Sequence, residues 1–114
     1  MTEKCLMTEV TTLNNIDCYQ DRHLLVKFQT KTALLDGQTL ILTRKEFDLL
    51  AFLVRRSGEV VSRTVLLTLV WGYKAEIRTH TLAVHIRRLR QSLGCHGKYY
   101  IETVFGKGYR FQPR

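Results

Sequence analysis

The segment from Thr79 to Leu93 reads THTLAVHIRRLRQSL, and its apolar residues recur at helical spacing. At about 100° per residue, its four largest apolar side chains fall within roughly 60° of one another. A stripe of this kind predicts a helix whose apolar side faces a protein core. The stripe consists of Leu82, Ile86, Leu89 and Leu93. The opposite side contains no acid and consists of His80, Val84, Arg87, Arg88 and Gln91, flanked by Thr81 and His85.

The charge of the chain is concentrated around this helix. The 114 residues include 18 Lys and Arg and 10 Asp and Glu, which gives a formal net charge of +8. Residues 77–114 contain eight of these basic residues and a single acid, Glu102. A surface that serves only solubility usually mixes both signs. The segregation therefore favours a polyanionic partner, such as a nucleic acid.

Composition also restricts the cellular compartment. No apolar run approaches the ~20 residues that a membrane span requires, and the N-terminus lacks the apolar stretch of a signal peptide. Cys5, Cys18 and Cys95 are odd in number and show no CxxC spacing. These features predict a cytoplasmic protein with reduced thiols and no membrane partner.

The residues before the helix predict a small sheet followed by two further helices. Apolar runs at 24–28, 33–35 and 38–42, with a hairpin signal at Asp36-Gly37, predict three or four short antiparallel strands. Thr43 and Glu46 form a capping box that begins a helix, which ends at Ser57-Gly58. Ser62 is the predicted N-cap of a second helix that runs from residue 63 to residue 71.

After the third helix, the chain returns to strand-like sequence. Two β-rich runs, at 99–105 and 109–111, surround Gly106-Lys107-Gly108 and predict a β-hairpin. The predicted fold class is therefore α+β, with an N-terminal antiparallel sheet, three helices and a C-terminal hairpin. Lys107 at the hairpin tip adds a cation that fits a minor groove or a phosphate.

The exposed side of the third helix carries the chemistry of base recognition. Arginine pairs with the N7 and O6 atoms of guanine, threonine and histidine donate to bases or phosphates, and an aliphatic side chain packs on a thymine methyl group. A short capped helix followed by a basic helix is typical of a helix-turn-helix, although the connection of about seven residues exceeds the usual three or four.

An enzyme is the first competing interpretation. The sequence shows no paired carboxylates, no Ser/His/Asp grouping and no phosphate-binding glycine loop. A metal site formed by His80, His85, Cys95 and His96 lacks any repeated ligand spacing. We therefore expect no catalytic activity, no cofactor, no metal and no small-molecule substrate.

Five ordered blocks of the chain resemble one protein family. They are Leu42–Leu50 (LTRKEFDLL), Gly58–Arg63 (GEVVSR), Val70–Tyr73 (VWGY), Val84–Arg90 (VHIRRLR) and Tyr100–Phe111 (YIETVFGKGYRF). Together they are similar to the OmpR/PhoB-type winged helix-turn-helix effector domain of bacterial two-component response regulators, over about residues 15–112. The resemblance implies that the third helix enters the major groove of double-stranded DNA, while the hairpin, or wing, reaches the adjacent minor groove. It also implies tandem half-sites and a homodimer on DNA.

The resemblance also assigns roles to residues. Positions near bases match Thr81, Val84, His85 and Arg88. Positions at phosphates match Arg63, Trp71, Arg87, Arg90, Thr103 and Tyr109. His80 replaces a usual arginine at the start of the third helix, with Arg78 nearby, and we add both to the phosphate set. Phe105 replaces a common wing arginine, which leaves Lys107 as the wing cation. The loop containing Tyr73, Lys74 and Glu76 matches a segment that contacts RNA polymerase in some members.

These inferences predict a regulator of transcription. We expect a flexible segment over residues 1–12 and one winged-helix domain over residues 13–114. A receiver domain, which needs ~120 residues, is absent. The chain is then either an excised effector domain, which we favour, or a regulator that never had a receiver. The alternative function is a winged-helix module that binds an acidic protein.

Overall fold

The computed structural model describes residues 18–72 and 79–113. The chain divides into two compact units, with the boundary between Leu40 and Ile41. The predicted flexible segment 1–12 lies outside the described residues, as does the predicted polymerase-contact loop with Tyr73, Lys74, Glu76 and Arg78.

The first unit contains a four-stranded antiparallel sheet. Its strands are β1 (Cys18–Gln20), β2 (Leu24–Lys27), β3 (Thr32–Leu35) and β4 (Gln38–Thr39), paired in that order. The turn between β3 and β4 lies at Asp36 and Gly37, whose φ angles of 51° and 85° are both left-handed. An Asp-Gly pair tolerates this conformation, which the right-handed strand twist favours. The N-terminal sheet is thus confirmed with four strands.

One cysteine departs from the expectation of reduced thiols. Cys18, in β1, is disulfide-bonded, whereas Cys95 is free and exposed. The expectation for Cys18 was wrong because it rested on the parity and spacing of cysteines in sequence, while a disulfide requires only that two thiols meet in space.

The second unit begins with α1 (Arg44–Arg55), whose predicted capping box is present. The Glu46 amide donates to Thr43 Oγ1 at 3.2 Å, and the Thr43 amide donates to Glu46 Oε1 at 3.1 Å. The inner side of α1 contributes Phe47, Leu50 and Leu53 to the core. The capping box therefore sets where α1 begins. The apolar stripe sets which side of the helix is buried.

The second helical segment covers the predicted residues 63–71, but its hydrogen-bonding pattern changes after Leu66. α2 (Arg63–Leu66) begins at Ser62, whose side chain accepts from the Val65 amide at 3.1 Å. It continues as a π-helical turn over Leu67–Trp71 and ends at Gly72, where φ is 107°. Hydrophobic periodicity predicts one uninterrupted helix here because it does not distinguish α from π hydrogen bonding.

The third helix, α3 (Thr79–Ser92), has the predicted apolar side. Leu82, Leu89 and Leu93 are fully buried, and Ile86 is 2% exposed. The helix packs against α1 and α2. The apolar stripe predicted from the sequence is therefore buried in the core. Over the described part of the chain, no helix has the length and hydropathy to cross a bilayer.

The C-terminal region departs from the sequence prediction in two respects. A 3₁₀ turn (Gly94–His96) and a fourth helix, α4 (Gly97–Tyr100), precede β6 (Ile101–Val104) and β7 (Gly108–Phe111). Tyr99 and Tyr100 therefore lie in a helix, where a strand was predicted. Aromatic residues favour strands only when the surroundings bury them on a sheet, whereas Tyr100 is buried by stacking on Phe111, with ring centroids 5.4 Å apart.

A further strand that the sequence did not predict joins the hairpin. β5 (Val60–Ser62) pairs with β7, so that the second sheet has the order β5-β7-β6. Gly108 permits this pairing because a Cβ at its position would lie 2.0 Å from the carbonyl oxygen of Val61. The wing is therefore anchored to the strand that leads directly into α2.

Candidate nucleic-acid interface

The solvent-facing side of α3 is basic. Arg87 and Arg88 are exposed, as are His80 and Gln91, while Thr81, Val84, His85 and Arg90 are half-buried. The described residues of α3 include no acid. The helix thus combines a fully apolar inner side with an outer side suited to hydrogen bonding with a polyanion.

A cluster around Trp71 holds the first turns of α3. The His85 Nδ1–H donates to the carbonyl oxygen of Thr81 at 2.9 Å. The imidazole meets the indole of Trp71 edge to face, with centroids 4.9 Å apart and an interplanar angle of 82°. Since Nδ1 is engaged by the helix itself, Nε2 is the nitrogen of His85 left to meet a ligand.

Lys45 supports this cluster from α1. Its ammonium donates to the carbonyl oxygen of Val70 at 2.9 Å and lies 6.0 Å from the centroid of the Trp71 ring. It therefore satisfies a carbonyl at the end of the π-helical turn. Sequence reasoning missed this role because no local pattern connects residues 25 positions apart.

Arg90 connects α3 to the wing. Its Nε and Nη2 atoms donate to the Ile101 carbonyl oxygen at 3.0 and 2.8 Å, and Nη2 also donates to Thr103 Oγ1 at 2.7 Å. Burial lowers the pKa of Arg90 from its ordinary value. Arg90 and Thr103, both predicted to contact DNA phosphates, are thus hydrogen-bonded to each other.

The wing presents its tip to solvent. Phe105 is 87% exposed, and Lys107 is also exposed. The tip is closed by a hydrogen bond of 2.9 Å from the Lys107 amide to the Val104 carbonyl oxygen. Lys107 therefore occupies the predicted position at the apex, next to an exposed aromatic side chain.

The only acid of residues 77–114 is engaged by a neighbouring base. Glu102 accepts from Arg110 Nε and Nη2 at 3.0 and 2.8 Å, and from Gln112 Nε2 at 3.2 Å. The hydrogen bond from Arg110 lowers the pKa of Glu102 below its ordinary value. Because Glu102 and Arg110 neutralise each other, this acid does not offset the arginines of α3.

The other residues predicted to contact phosphates differ in how deeply they are buried. Tyr109 is 8% exposed and pairs across the sheet with Thr103. Arg63 is half-buried in the first turn of α2, and Trp71 is half-buried at the end of the π-helical turn that follows α2. Tyr109 thus contributes to the core.

Comparison with known proteins identifies the class of protein. Residues 37–111 match the model of the family described as "Transcriptional regulatory protein, C terminal". The chain belongs to this family of DNA-binding transcription regulator domains, which is not a family of enzymes. The resemblance to OmpR/PhoB-type effector domains is thereby confirmed.

Individual relatives agree with this assignment. The uncharacterized transcriptional regulatory protein YclJ of Bacillus subtilis is 41% identical over 96 residues, which cover 83% of this chain and 42% of YclJ. The response regulator DrrB, a Thermotoga maritima OmpR/PhoB homologue, superposes with a TM-score of 0.78 and 29% identity, over 85% of this chain and 45% of DrrB.

A solved complex provides a further neighbour. The RstA DNA-binding domain of Klebsiella pneumoniae, crystallised with the RstA box, gives a TM-score of 0.76 and 28% identity over 85% of this chain and 98% of that domain. These structures confirm the winged-helix fold. The chain spans less than half the length of YclJ and DrrB.

Proposed function

We propose that this chain binds double-stranded DNA in a sequence-specific manner to regulate transcription, with α3 in the major groove and the wing at the adjacent minor groove. The observation that carries the proposal is the division of α3 into a buried apolar side and an exposed, acid-free side bearing Arg87 and Arg88. A major groove of about 12 Å admits one α-helix. The complex of the related RstA domain with its box supports DNA binding by this chain.

Four residues of α3 are proposed to read bases: Thr81, Val84, His85 and Arg88. Arg88 is exposed and suits bidentate pairing with guanine. His85 is held by Trp71 and by the Thr81 carbonyl, so its Nε2 atom is presented in a fixed position. A side chain held in place loses less conformational entropy on binding than a mobile one, so its contact with a base adds more affinity.

We propose that contacts to the DNA backbone surround the four base-reading residues. Phosphate contacts are assigned to Arg63, Trp71, Arg78, His80, Arg87, Arg90, Thr103 and Tyr109, and the minor-groove contact to Lys107. For Arg90 and Thr103, the hydrogen bond between them supports a joint role, in which one guanidinium orients the wing relative to α3. Such contacts set the register on the duplex and add affinity that depends on salt.

The wider role follows from the relatives. We propose that the chain is the effector half of a bacterial response regulator of a two-component system, that it acts in the cytoplasm, and that it binds tandem half-sites as a homodimer. Residues 13–114 would act as the DNA-binding domain, and the loop with Tyr73, Lys74 and Glu76 would contact RNA polymerase. No catalytic activity, cofactor or metal is part of this proposal.

Selection from a random duplex library, followed by salt titration on the selected site, tests the proposal. We expect an enriched motif and a loss of affinity of orders of magnitude between ~50 and ~200 mM salt, since several phosphates would be neutralised. An unselected pool together with a flat salt response would contradict DNA recognition and would favour the acidic protein partner.

A further inference from the structure

A hollow of about 340 Å³ lies at the C-terminal end of α3. One wall belongs to α3, and the other to the 3₁₀ turn and the start of α4. Its lining consists of Arg87, Arg90, Gln91, Gly94, Cys95 and Lys98. Arg87 also lies on the exposed basic side of α3, so the hollow extends that surface toward the end of the helix.

The charges of the side chains that line the hollow favour binding of an anion. Three side chains are cationic and one is an amide that can donate, while no lining residue is acidic. The acid closest in sequence, Glu102, is occupied by Arg110. Guanidinium and ammonium groups form their strongest hydrogen bonds with carboxylate and phosphate oxygens. The hollow therefore offers an uncompensated positive site.

The C-terminal end of α3 repels an anion electrostatically, and the surrounding structure weakens this repulsion. The C-terminus of a helix carries roughly half a negative charge, compared with three full positive charges in the lining. One of the terminal carbonyl oxygens, that of Leu93, is also engaged by the His96 amide at 3.2 Å. The net charge around the hollow is therefore positive.

The second wall is held in place by a close backbone approach. A Cβ at Gly97 would lie 2.3 Å from the carbonyl oxygen of Arg90, so only glycine lets α4 come this near to α3. Lys98 follows directly, and its ammonium lies 5.5 Å from the centroid of the Tyr99 ring. The close approach at Gly97 thus places Lys98 in the wall of the hollow.

We infer that this hollow binds a phosphate group of the DNA backbone, with Lys98 as a contact additional to those proposed above. The inference rests on the proposed function and extends the phosphate contacts beyond the C-terminal end of α3. Arg87 and Gln91 reach the phosphate from the helix, and Lys98 reaches it from α4. The contact is independent of sequence, because every nucleotide offers the same oxygens.

Cys95 reports on the occupant because its thiol is exposed in the lining. The intact chain is treated with N-ethylmaleimide, and the labelling rate of Cys95 is followed by peptide mass spectrometry. We expect the selected duplex to slow labelling severalfold, while inorganic phosphate at matched ionic strength slows it far less. Protection by phosphate without protection by the duplex would assign the hollow to a free anion and overturn the inference.

Removal of the lysine charge provides a second measurement. Lys98→Gln should weaken binding equally on the selected and random duplexes and reduce the salt slope by about one. Arg22→Gln is the matched control, since it removes one exposed positive charge from the N-terminal sheet unit. Thermal unfolding followed by circular dichroism verifies that both variants are folded.

The failure of this inference differs from failure of the proposed function. If the unmodified chain binds no duplex at any salt concentration, the proposed function fails. If it binds with a steep salt dependence, yet Lys98→Gln behaves as Arg22→Gln does and the duplex leaves Cys95 labelling unchanged, the hollow is not a phosphate site.

Discussion

Arg90 and Thr103 are joined by a hydrogen bond of 2.7 Å from the guanidinium Nη2 to the threonine hydroxyl oxygen. The same guanidinium donates through Nε and Nη2 to the Ile101 carbonyl oxygen. One side chain of α3 thus holds the first strand of the wing at two places, the backbone carbonyl of Ile101 and the side chain of Thr103. Since α3 and the wing are proposed to occupy neighbouring grooves, this connection fixes the distance between the two reading elements.

Arg90→Ala is expected to lower the free energy of unfolding by about 1–3 kcal/mol, because a part-buried carbonyl and a hydroxyl lose a charged donor. Arg90→Lys should recover only part of this loss, since an ammonium cannot reproduce the planar fork. Urea denaturation measures both variants. A double-mutant cycle with Thr103→Val isolates the pair, and a coupling energy of zero would show that the hydrogen bond contributes nothing.

The neighbouring arginines Arg87 and Arg88 are expected to respond differently to substitution. Arg88→Ala should cost about 1–3 kcal/mol of binding to the selected site and relax preference at one base pair. Arg87→Ala should weaken binding to all duplexes uniformly and reduce the salt slope by about one. Each variant serves as the control for the other in competition assays. Equal losses on selected and random duplexes for Arg88→Ala would restrict this residue to the backbone.

The sequence predicts local features of the fold well. The capping box at Thr43 and Glu46, the hairpin turn at Asp36-Gly37 and the buried stripe of α3 are each encoded within a few residues. Such features follow from local hydrogen bonding and from the helical period. They fix the order of the elements and the side of α3 that remains available.

Features that depend on distant partners could not be predicted. The strand β5 exists because Val60–Ser62 finds β7 about fifty residues later. Tyr100 lies in α4 instead of the predicted strand, and its ring stacks on that of Phe111, which is distant in sequence. The contact of Lys45 with the end of the π-helical turn likewise has no local signal. For Lys98, a signal was present in the acid-free run that ends at Ile101, but its contribution to a hollow requires the backbone of Gly97.

Gly108 and Gly106 permit a test of how the wing is anchored. Gly108→Ala would place a Cβ 2.0 Å from the Val61 carbonyl oxygen, so β5 and β7 must separate. Gly106 has a φ of 78° and open space around its Cβ position, so alanine there meets only backbone strain, of about 1–2 kcal/mol. We expect Gly108→Ala to lower the midpoint of thermal unfolding considerably more than Gly106→Ala. An equal effect of the two substitutions would contradict the close packing of β7 on β5.

The pairing of Glu102 with Arg110 makes the wing sensitive to acid. The hydrogen bond from Arg110 lowers the pKa of Glu102 below its ordinary value of 4.5. A carboxyl group whose pKa is lower in the folded than in the unfolded state stabilises the fold above the unfolded pKa, and this contribution is lost as the pH falls through the folded pKa. Titration of the Glu102 side chain by NMR should therefore give a midpoint below 4.5. Arg110→Gln should raise that midpoint toward the ordinary value, and an unchanged midpoint in this variant would show that Arg110 does not hold the carboxylate.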